Sequence, residues 1–267
     1  MSGGSAQPRQ PGPDAPRERA RDTLVVLPAL NEGTRIGSVL ERLRAAVSDV
    51  DVLVVDDGSH DATAAQARAG GAQVISHPFN LGYGAALQTG YKWAERGGYA
   101  FVVQMDADGQ HDPADVIRLL APLRSGSAEV VIGSRFVARS GYRMGPVRAA
   151  GRALFQRLLV ACGGPRIADP TSGFQALARP AFRLCCADFY PFDFPDVDVL
   201  LMLARHGFRI VEVPVEMAPN PPGHASMHAG LRAVYYPYKM LLSTFRSALA
   251  PHVASVPDAA SRRELTA

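Results

Sequence analysis

Short apolar runs alternate along the chain with segments in which apolar residues recur every three or four positions. The runs predict strands at 24–27, 52–55, 73–76, 101–105 and 130–132. The segments between them predict helices at 34–46, 61–69, 84–96 and 113–124. Strands that alternate with helices are typical of an α/β domain whose mostly parallel sheet is flanked by helices.

The pattern changes after residue 140. Helices are predicted at 146–162, 178–187 and 195–206, and a strand is predicted at 209–215. Together with the elements of the first half, they indicate one domain at 22–220, which is large enough to be catalytic. The remaining segments are a tail rich in Pro, Gly, Ser and Arg at 1–21, an amphipathic helical segment at 221–250 and a flexible tail at 251–267.

Composition narrows the class of protein only slightly. The chain has 267 residues and a net charge of +3, which gives no reason to expect a nucleic-acid partner. Its three cysteines, Cys162, Cys185 and Cys186, suggest neither a disulfide framework nor a zinc site, so a cytoplasmic location fits. No signal peptide or stretch of 18 apolar residues occurs, so no membrane span is expected.

Polar clusters follow five of the predicted strands at their carboxyl ends. In an open α/β sheet, ligands bind at this edge. One such cluster could be ordinary turn chemistry, but five at one edge predict a ligand site. The clusters are PALNE at 28–32, DDGS at 56–59, HPFNLGYG at 77–84, DADGQ at 106–110 and GSR at 133–135.

The cluster at 106–110 carries the clearest chemistry. Asp106 and Asp108 place two carboxylates one residue apart at the end of a strand, which suits Mg²⁺ or Mn²⁺ that also touches a substrate phosphate. The alternative is a solvated turn, where Asp and Gly are common. Arg135 and Arg148 are candidates for binding phosphate, with solvated surface arginines as the alternative.

Other polar residues allow two interpretations each. Asp57 is favoured for contact with a base or ribose, while its neighbour Asp56, or Ser59, would cap the next helix. Gly84, in the Gly-Tyr-Gly turn, could let the backbone approach a ligand closely. Asp169 could be a second acidic centre across the cleft, or it could form an Asx-turn before Pro170.

Three common enzyme motifs are missing from the sequence. The third glycine of a dinucleotide fingerprint is replaced by Leu87, and the chain has no GxxxxGK[ST] phosphate loop. It also has no GxSxG nucleophile elbow. These differences weigh against dehydrogenases, P-loop NTPases and serine hydrolases.

The ordered motifs resemble those of family 2 glycosyltransferases, and most closely the polyprenyl-phosphate (dolichyl-phosphate mannosyltransferase-like) branch. The resemblance covers residues 23–217, and the order and spacing of the motifs make it specific. The matching stretches are VVLPALNE, VVDDGSHDAT, NLGYGAALQTG, VVQMDADGQHDP, VIGSRF, DPTSGFQA and VEVPVEM.

The resemblance implies a GT-A fold and an inverting transfer from a nucleotide-sugar donor, assisted by Mg²⁺ or Mn²⁺. It places Asp106, Asp108 and Gln110 on the metal and diphosphate, and Arg135 and Arg148 on the acceptor phosphate or the donor diphosphate. Asp169 would lie near the acceptor, and would be the candidate base if the acceptor were a sugar hydroxyl. The residues implied to line the nucleotide pocket are Pro28, Ala29, Asn31, Glu32 and Asp57.

The acceptor implied by the resemblance is a lipid phosphate or a glycan of the cell envelope. The segment at 229–249 either packs on the protein or lies on the inner face of the membrane, with Lys239 and Arg246 toward anionic lipid. A small membrane partner could serve the same purpose. Two departures from relatives are Gln175, where many carry Arg, and the lack of an arginine between Met217 and Ser226.

Two other functions are compatible with parts of the sequence. DADG also resembles the nucleophile motif of haloacid-dehalogenase-type phosphatases, but that motif normally follows the first strand and needs a later lysine. Here it follows the fourth predicted strand, and the only lysines are Lys92 and Lys239. The second alternative is a sugar-nucleotide-binding subunit without catalysis, which the presence of both Asp106 and Asp108 disfavours.

Overall fold

A computed structural model describes residues 21–137, 145–193, 195–218 and 242–243 of the chain. Nearly all of the tails predicted at 1–21 and 251–267 and of the amphipathic segment at 221–250 lie outside these residues, so those predictions stay untested. Among the described residues, none of the helices combines the length and apolar character that crossing a membrane requires.

Seven strands form one sheet in the described part of the chain, in the order β3-β2-β1-β4-β6-β5-β7. The strands are β1 (Thr23–Ala29), β2 (Asp51–Asp56), β3 (Gln73–Ser76), β4 (Phe101–Gln104), β5 (Val130–Ser134), β6 (Gln175–Ala178) and β7 (Ile210–Pro214). The helices are α1 (Ile36–Ala46), α2 (Thr63–Ala69), α3 (Tyr83–Gly97), α4 (Asp115–Arg124), α5 (Pro146–Ala161), α6 (Arg179–Cys185) and α7 (Val197–Arg205).

Helices cover both faces of this sheet, as the apolar runs predict. Alternate residues of β1 point to opposite faces, so Val25 packs in a core cluster with residues of α1 and α4. Leu24 packs in a second cluster with residues of α3 and α6. Every residue of β1 is buried, which explains why this strand is a continuous apolar run.

The predicted elements are confirmed with small shifts at their ends. The largest shift that concerns the site is in α4, which begins at Asp115 rather than at Pro113. Asp112 lies in the turn before this helix, where its Oδ1 accepts a hydrogen bond from the backbone N–H of Ala114 at 3.1 Å. The helix therefore starts two residues later than predicted.

One strand was not predicted, and it matters for the site. The four residues of β6, Gln175–Ala178, pair antiparallel with β4 on one side and β5 on the other, whereas every other neighbouring pair is parallel. Because β6 runs against its neighbours, its first residue lies beside the carboxyl ends of β4 and β5. The segment before it, Asp169–Phe174, is thereby brought to the edge where the polar clusters lie.

Candidate active site

Asp106 lies at the centre of the carboxyl edge, directly after β4. Its side chain is 29% exposed, and Tyr83 donates its hydroxyl hydrogen to Oδ1 at 2.8 Å. Burial raises the pKa of Asp106, while the hydrogen bond from Tyr83 and the nearby charge of Arg135 act to lower it. Tyr83 stays protonated and therefore donates to the carboxylate, because burial raises its pKa well above the usual value.

Asp108 and Gln110 lie in the turn that follows Asp106, and both are half-buried. The backbone N–H of Gln110 donates to Oδ1 of Asp108 at 2.9 Å, which fixes the turn. Among the described residues, no group of three or more His, Cys, Asp or Glu side chains is placed to hold a metal ion. Two carboxylates and an amide fit Mg²⁺ or Mn²⁺ whose coordination is completed by substrate phosphates and water.

Arg135 and Asp169 form a bidentate ion pair close to Asp106. Nε of Arg135 donates to Oδ2 of Asp169, and Nη2 donates to Oδ1, both at 2.7 Å. The backbone N–H of Arg135 adds a third bond to Oδ2 at 3.1 Å. The side chain of Arg135 is 13% exposed, and that of Asp169 is fully buried. Asp169 therefore fixes the direction in which the guanidinium points.

This geometry revises the role expected of Asp169. A base for a sugar hydroxyl must offer a free carboxylate oxygen to the substrate. Both oxygens of Asp169 are occupied by Arg135, and neither is exposed to solvent. In this arrangement the carboxylate orients the guanidinium of Arg135, and its role near the acceptor stays a prediction.

Glu212 of β7 holds the backbone on which Asp169 lies. Its two carboxylate oxygens accept hydrogen bonds from the N–H groups of Ala168 and Asp169, at 2.7 and 2.9 Å. Sequence reasoning did not single out this residue. The signal available was a lone acidic residue inside the apolar strand RIVEVP.

The structure describes two arginines of α5 to different extents. Arg148 lies in the first turns of α5, but its side chain is not described, so its role stays a prediction. Arg152 lies one turn further along the same helix. Its Nη1 donates to the carbonyl of Ala168 at 3.1 Å, and its guanidinium lies 4.0 Å from the ring centroid of Phe136. Sequence reasoning missed Arg152, although it follows Arg148 by four positions, the spacing of residues on one face of a helix.

The loop before β6 packs directly against the acidic centre. A Cβ at Gly173 would lie 3.0 Å from Oδ2 of Asp106 and 3.1 Å from the hydroxyl of Tyr83, so only glycine fits without displacement. Ser172 donates its hydroxyl hydrogen to the carbonyl of Gly133 at 2.6 Å. Gln175, the residue that departs from many relatives, donates to the carbonyl of Ser172 at 2.8 Å and so supports the same loop.

His111 is a further residue that sequence reasoning missed. Its ring is buried and stacked on Phe174, with centroids 4.6 Å apart and planes 13° apart. Nδ1 accepts a hydrogen bond from the backbone N–H of Asp106 at 3.1 Å. Burial lowers the pKa of His111 to about 4, so the ring is neutral at neutral pH.

The expected nucleotide residues lie at the ends of β1 and β2. Pro28 and Ala29 are buried within β1, so their side chains belong to the core. Asn31 is exposed and adopts a positive φ of 56°, which its side chain stabilises by accepting a hydrogen bond from the N–H of His60 at 2.9 Å. Glu32 pairs with Arg35 at 3.0 Å.

Asp57 holds the loop that leads into α3. Its Oδ1 accepts hydrogen bonds from the N–H of Leu81 at 2.9 Å and pairs with Nδ1 of His77 at 2.7 Å, and its Oδ2 accepts from the N–H of Gly82 at 2.9 Å. A carboxylate has about four acceptor positions, so one position on Oδ2 stays available for a ligand. Asp56 accepts a hydrogen bond from the N–H of Ser59 and closes a local turn rather than capping the next helix, which begins at Thr63.

The space beside Gly84 where a side chain would lie is filled by the protein's own backbone, and contact of Gly84 with a ligand stays a prediction. A Cβ at Gly84 would lie 2.1 Å from the carbonyl oxygen of Pro191 and 2.7 Å from that of Phe192. The neighbouring N–H of Ala85 donates to the same carbonyl of Phe192 at 3.0 Å. The close approach made possible by this glycine is to the protein's own backbone.

We expect Gly84→Ala to lower the free energy of unfolding by about 2 kcal/mol or more, since the new methyl group would overlap a backbone oxygen that cannot rotate away. Urea denaturation measures the effect. Gly151→Ala, in α5, is the matched control, because nothing lies within 4 Å of its Cβ position. The control should be neutral or stabilising. Equal stability of the two variants would contradict the packing described for Gly84.

Comparison with known proteins identifies the family. The family model described as "Glycosyl transferase family 2" matches residues 24–184, more than half of the chain. The chain belongs to glycosyltransferase family 2. It is an enzyme of this family with the GT-A fold. The match contradicts the haloacid-dehalogenase hypothesis.

Two curated relatives place the chain in the prenyl-phosphate sugar transferase branch of the family. The polyprenol monophosphomannose synthase of Mycolicibacterium smegmatis is 33% identical over 77% of this chain and 80% of its own. The undecaprenyl-phosphate mannosyltransferase of Micrococcus luteus is 34% identical over 78% of this chain and 88% of its own.

A solved structure gives a similar backbone with ligands bound. Glucosyl-3-phosphoglycerate synthase of Mycobacterium tuberculosis, in complex with Mn²⁺, UDP-glucose and phosphoglyceric acid, is 26% identical to this glycosyltransferase. The similarity covers 87% of this chain and 81% of that chain, with a TM-score of 0.62.

Proposed function

We propose that this glycosyltransferase transfers a sugar, with inversion, from a nucleotide-diphosphate donor to a polyprenyl phosphate, and that the reaction depends on Mg²⁺ or Mn²⁺. The observation that carries the proposal is the ion pair of Arg135 with buried Asp169, which fixes a guanidinium near Asp106. The activities for which the two relatives are named support a mannosyl donor and a polyprenyl-phosphate acceptor.

The donor would lie along the carboxyl edge of the sheet. Asn31 and Asp57 would contact the nucleoside, while Asp106, Asp108 and Gln110 would hold the metal beside the diphosphate. When bound, Mg²⁺ or Mn²⁺ neutralises the charge that grows on the leaving diphosphate. Tyr83 supports this arrangement because its hydroxyl fixes one oxygen of Asp106.

Transfer to a phosphate needs positioning more than proton removal. The attacking phosphate oxygen is already anionic; it forms a bond to the anomeric carbon while the bond from that carbon to the diphosphate oxygen breaks. Arg135 would orient the acceptor phosphate for attack from the opposite face, with Arg148 as a second candidate. Asp169 is fully buried and both of its oxygens accept hydrogen bonds from Arg135, which disfavours a role as base and favours a lipid phosphate over a sugar hydroxyl as acceptor.

The acceptor's lipid chain implies that the protein works at a membrane surface. We place it at the inner face of the membrane, held there by peripheral contact through the segment at 229–249 or by a small membrane partner. Stable binding of the purified chain to vesicles of anionic lipid would make the partner unnecessary, and failure to bind would favour it.

Donor binding can be tested by thermal shift with UDP, GDP, dTDP and their sugars, each with Mn²⁺ or with EDTA. We expect one nucleotide to raise the melting temperature only with metal, since a ligand at 100 times its Kd stabilises the folded state by about 2.7 kcal/mol. The Asp108→Asn variant should lose this metal dependence. If a folded sample gave no shift with any nucleotide, the proposed donor site would be contradicted.

A further inference from the structure

The imidazole of His111 has one nitrogen whose purpose the fold alone does not explain. The residue is 2% exposed, and its Nε2 has no hydrogen-bond partner among the described residues. Buried polar atoms without a partner are rare in native proteins, because each costs about 1–3 kcal/mol. Oδ2 of Asp106 lies 3.8 Å from Nε2, which is beyond hydrogen-bond distance.

The other nitrogen of the ring determines where the proton lies. The backbone N–H of Asp106 donates to Nδ1, so Nδ1 must present its lone pair. A neutral ring then carries its proton on Nε2 and can only donate from that atom. The same argument excludes Nε2 of His111 as a direct metal ligand, since a ligand atom needs a free lone pair.

The surroundings of the ring keep this donor in place. His111 is stacked on Phe174, and its backbone pairs with Met217 in an isolated antiparallel bridge. Oδ1 of Asp106 is already held by Tyr83. A rotation of the carboxylate that moves Oδ2 by less than ~1 Å would bring it within hydrogen-bond distance of Nε2, and this terminal torsion of Asp is soft.

We propose that His111 is a positioning residue that donates its Nε2 hydrogen to Oδ2 of Asp106 when metal and donor bind. With Tyr83 on Oδ1 and His111 on Oδ2, each carboxylate oxygen is held from the protein side, and its remaining lone pair is directed toward the metal and diphosphate. The inference rests on the proposed function, because it takes Asp106 as a metal ligand. Partners of this kind typically contribute about 10–100-fold to metal affinity or activity.

Two substitutions test the roles of the two ring nitrogens separately. His111→Asn can retain an acceptor near Nδ1 for the N–H of Asp106 but loses the Nε2 donor. His111→Gln can place an amide N–H near Nε2 but loses the Nδ1 acceptor. We expect Asn to keep a near-native melting temperature and to bind Mn²⁺ at least about 10-fold more weakly in the presence of nucleotide. His111→Gln should show the reverse. Its stability should fall, while its affinity for Mn²⁺ should stay near that of the wild type.

Electron paramagnetic resonance of free and bound Mn²⁺ measures the affinity without reference to turnover. Wild-type affinity in His111→Asn would overturn the inference and leave a packing role only. The proposed function would survive that result, because wild-type protein would still bind Mn²⁺ and nucleotide. If the wild type bound no Mn²⁺ with any nucleotide, both the inference and the proposed function would fail.

Nuclear magnetic resonance of the wild-type protein tests the same inference without a variant, in case the substitutions prevent folding. Long-range ¹H–¹⁵N spectra should show the Nε2–H tautomer of His111 in the free protein. Addition of Mg²⁺ and nucleotide should shift the Nε2 proton downfield as its hydrogen bond forms. A ring protonated on Nδ1, or an unchanged Nε2 proton in the liganded protein, would contradict the inference.

Discussion

Replacing Asp108 by Asn is expected to reduce sugar transfer by about 10³-fold while the fold stays intact. The substitution removes one charge from the group that would hold the metal, and metal assistance contributes several kcal/mol, with about 1.4 kcal/mol for each factor of ten. The fold should tolerate the change, because the side chain is half-buried and Asn can still accept the hydrogen bond from Gln110. Steady-state assay with circular dichroism measures both effects.

Asp112→Asn is the matched control for this experiment. It makes the same change of charge four residues away, at an exposed position whose side-chain oxygen caps the N–H of Ala114, and Asn can cap equally well. Turnover of the control should stay within about twofold of the wild type, as for a surface substitution. Near-normal turnover in Asp108→Asn would contradict the role of Asp108 as a metal ligand.

Replacing Asp169 by Asn is expected to damage both stability and activity. Asp169 is fully buried, and removal of one partner of a buried ion pair costs about 3–5 kcal/mol, since the other charge is left without compensation. The guanidinium of Arg135 would also lose the bidentate contact that orients it, and we expect turnover to fall about 10²-fold or more. Urea denaturation and turnover measure the two losses separately.

A double variant distinguishes the two roles of the pair. Arg135→Met with Asp169→Leu replaces both charges by apolar side chains, and such replacements often restore stability. We expect the double variant to be more stable than Asp169→Asn and to remain inactive. A stable double variant with normal turnover would show that the ion pair serves only the fold.

Sequence reasoning located the edge of the sheet on which the site lies because its signals are local. The apolar runs of β1, β2 and β4 end in polar residues, and parallel strands bring these ends together. The spacing of Asp106 and Asp108 likewise needs no knowledge of distant contacts. These parts of the fold and the site were predictable from short segments of sequence.

The contacts that complete the site are long-range and left no such signal. The segment QALA contains no β-branched residue, so nothing predicted β6, although its antiparallel insertion brings Asp169 and Gly173 to the site. The support that Glu212 gives to Asp169 spans 43 residues. The packing of Gly84 against the backbone of Pro191 was not predictable for the same reason, since the two residues lie more than a hundred positions apart.

His111 shows a different limit of sequence reasoning. A single histidine after DADGQ has no spacing that marks it as functional, and its role depends on which nitrogen is occupied. Only the hydrogen bond from the backbone of Asp106 to Nδ1 identifies Nε2 as the donor. Tautomers are determined by such neighbours, and their assignment therefore requires the folded structure.

Transfer of labelled sugar to a matched pair of lipids tests the central claim most directly. Purified protein would be given labelled GDP-mannose or UDP-glucose with Mn²⁺ and either undecaprenyl phosphate or undecaprenol, and the organic phase would be counted. We predict label in the organic phase only with the phosphorylated lipid, and its loss with EDTA or with Asp108→Asn. Equal transfer to undecaprenol, or transfer that persists in EDTA and in Asp108→Asn, would contradict a metal-dependent transfer to a lipid phosphate.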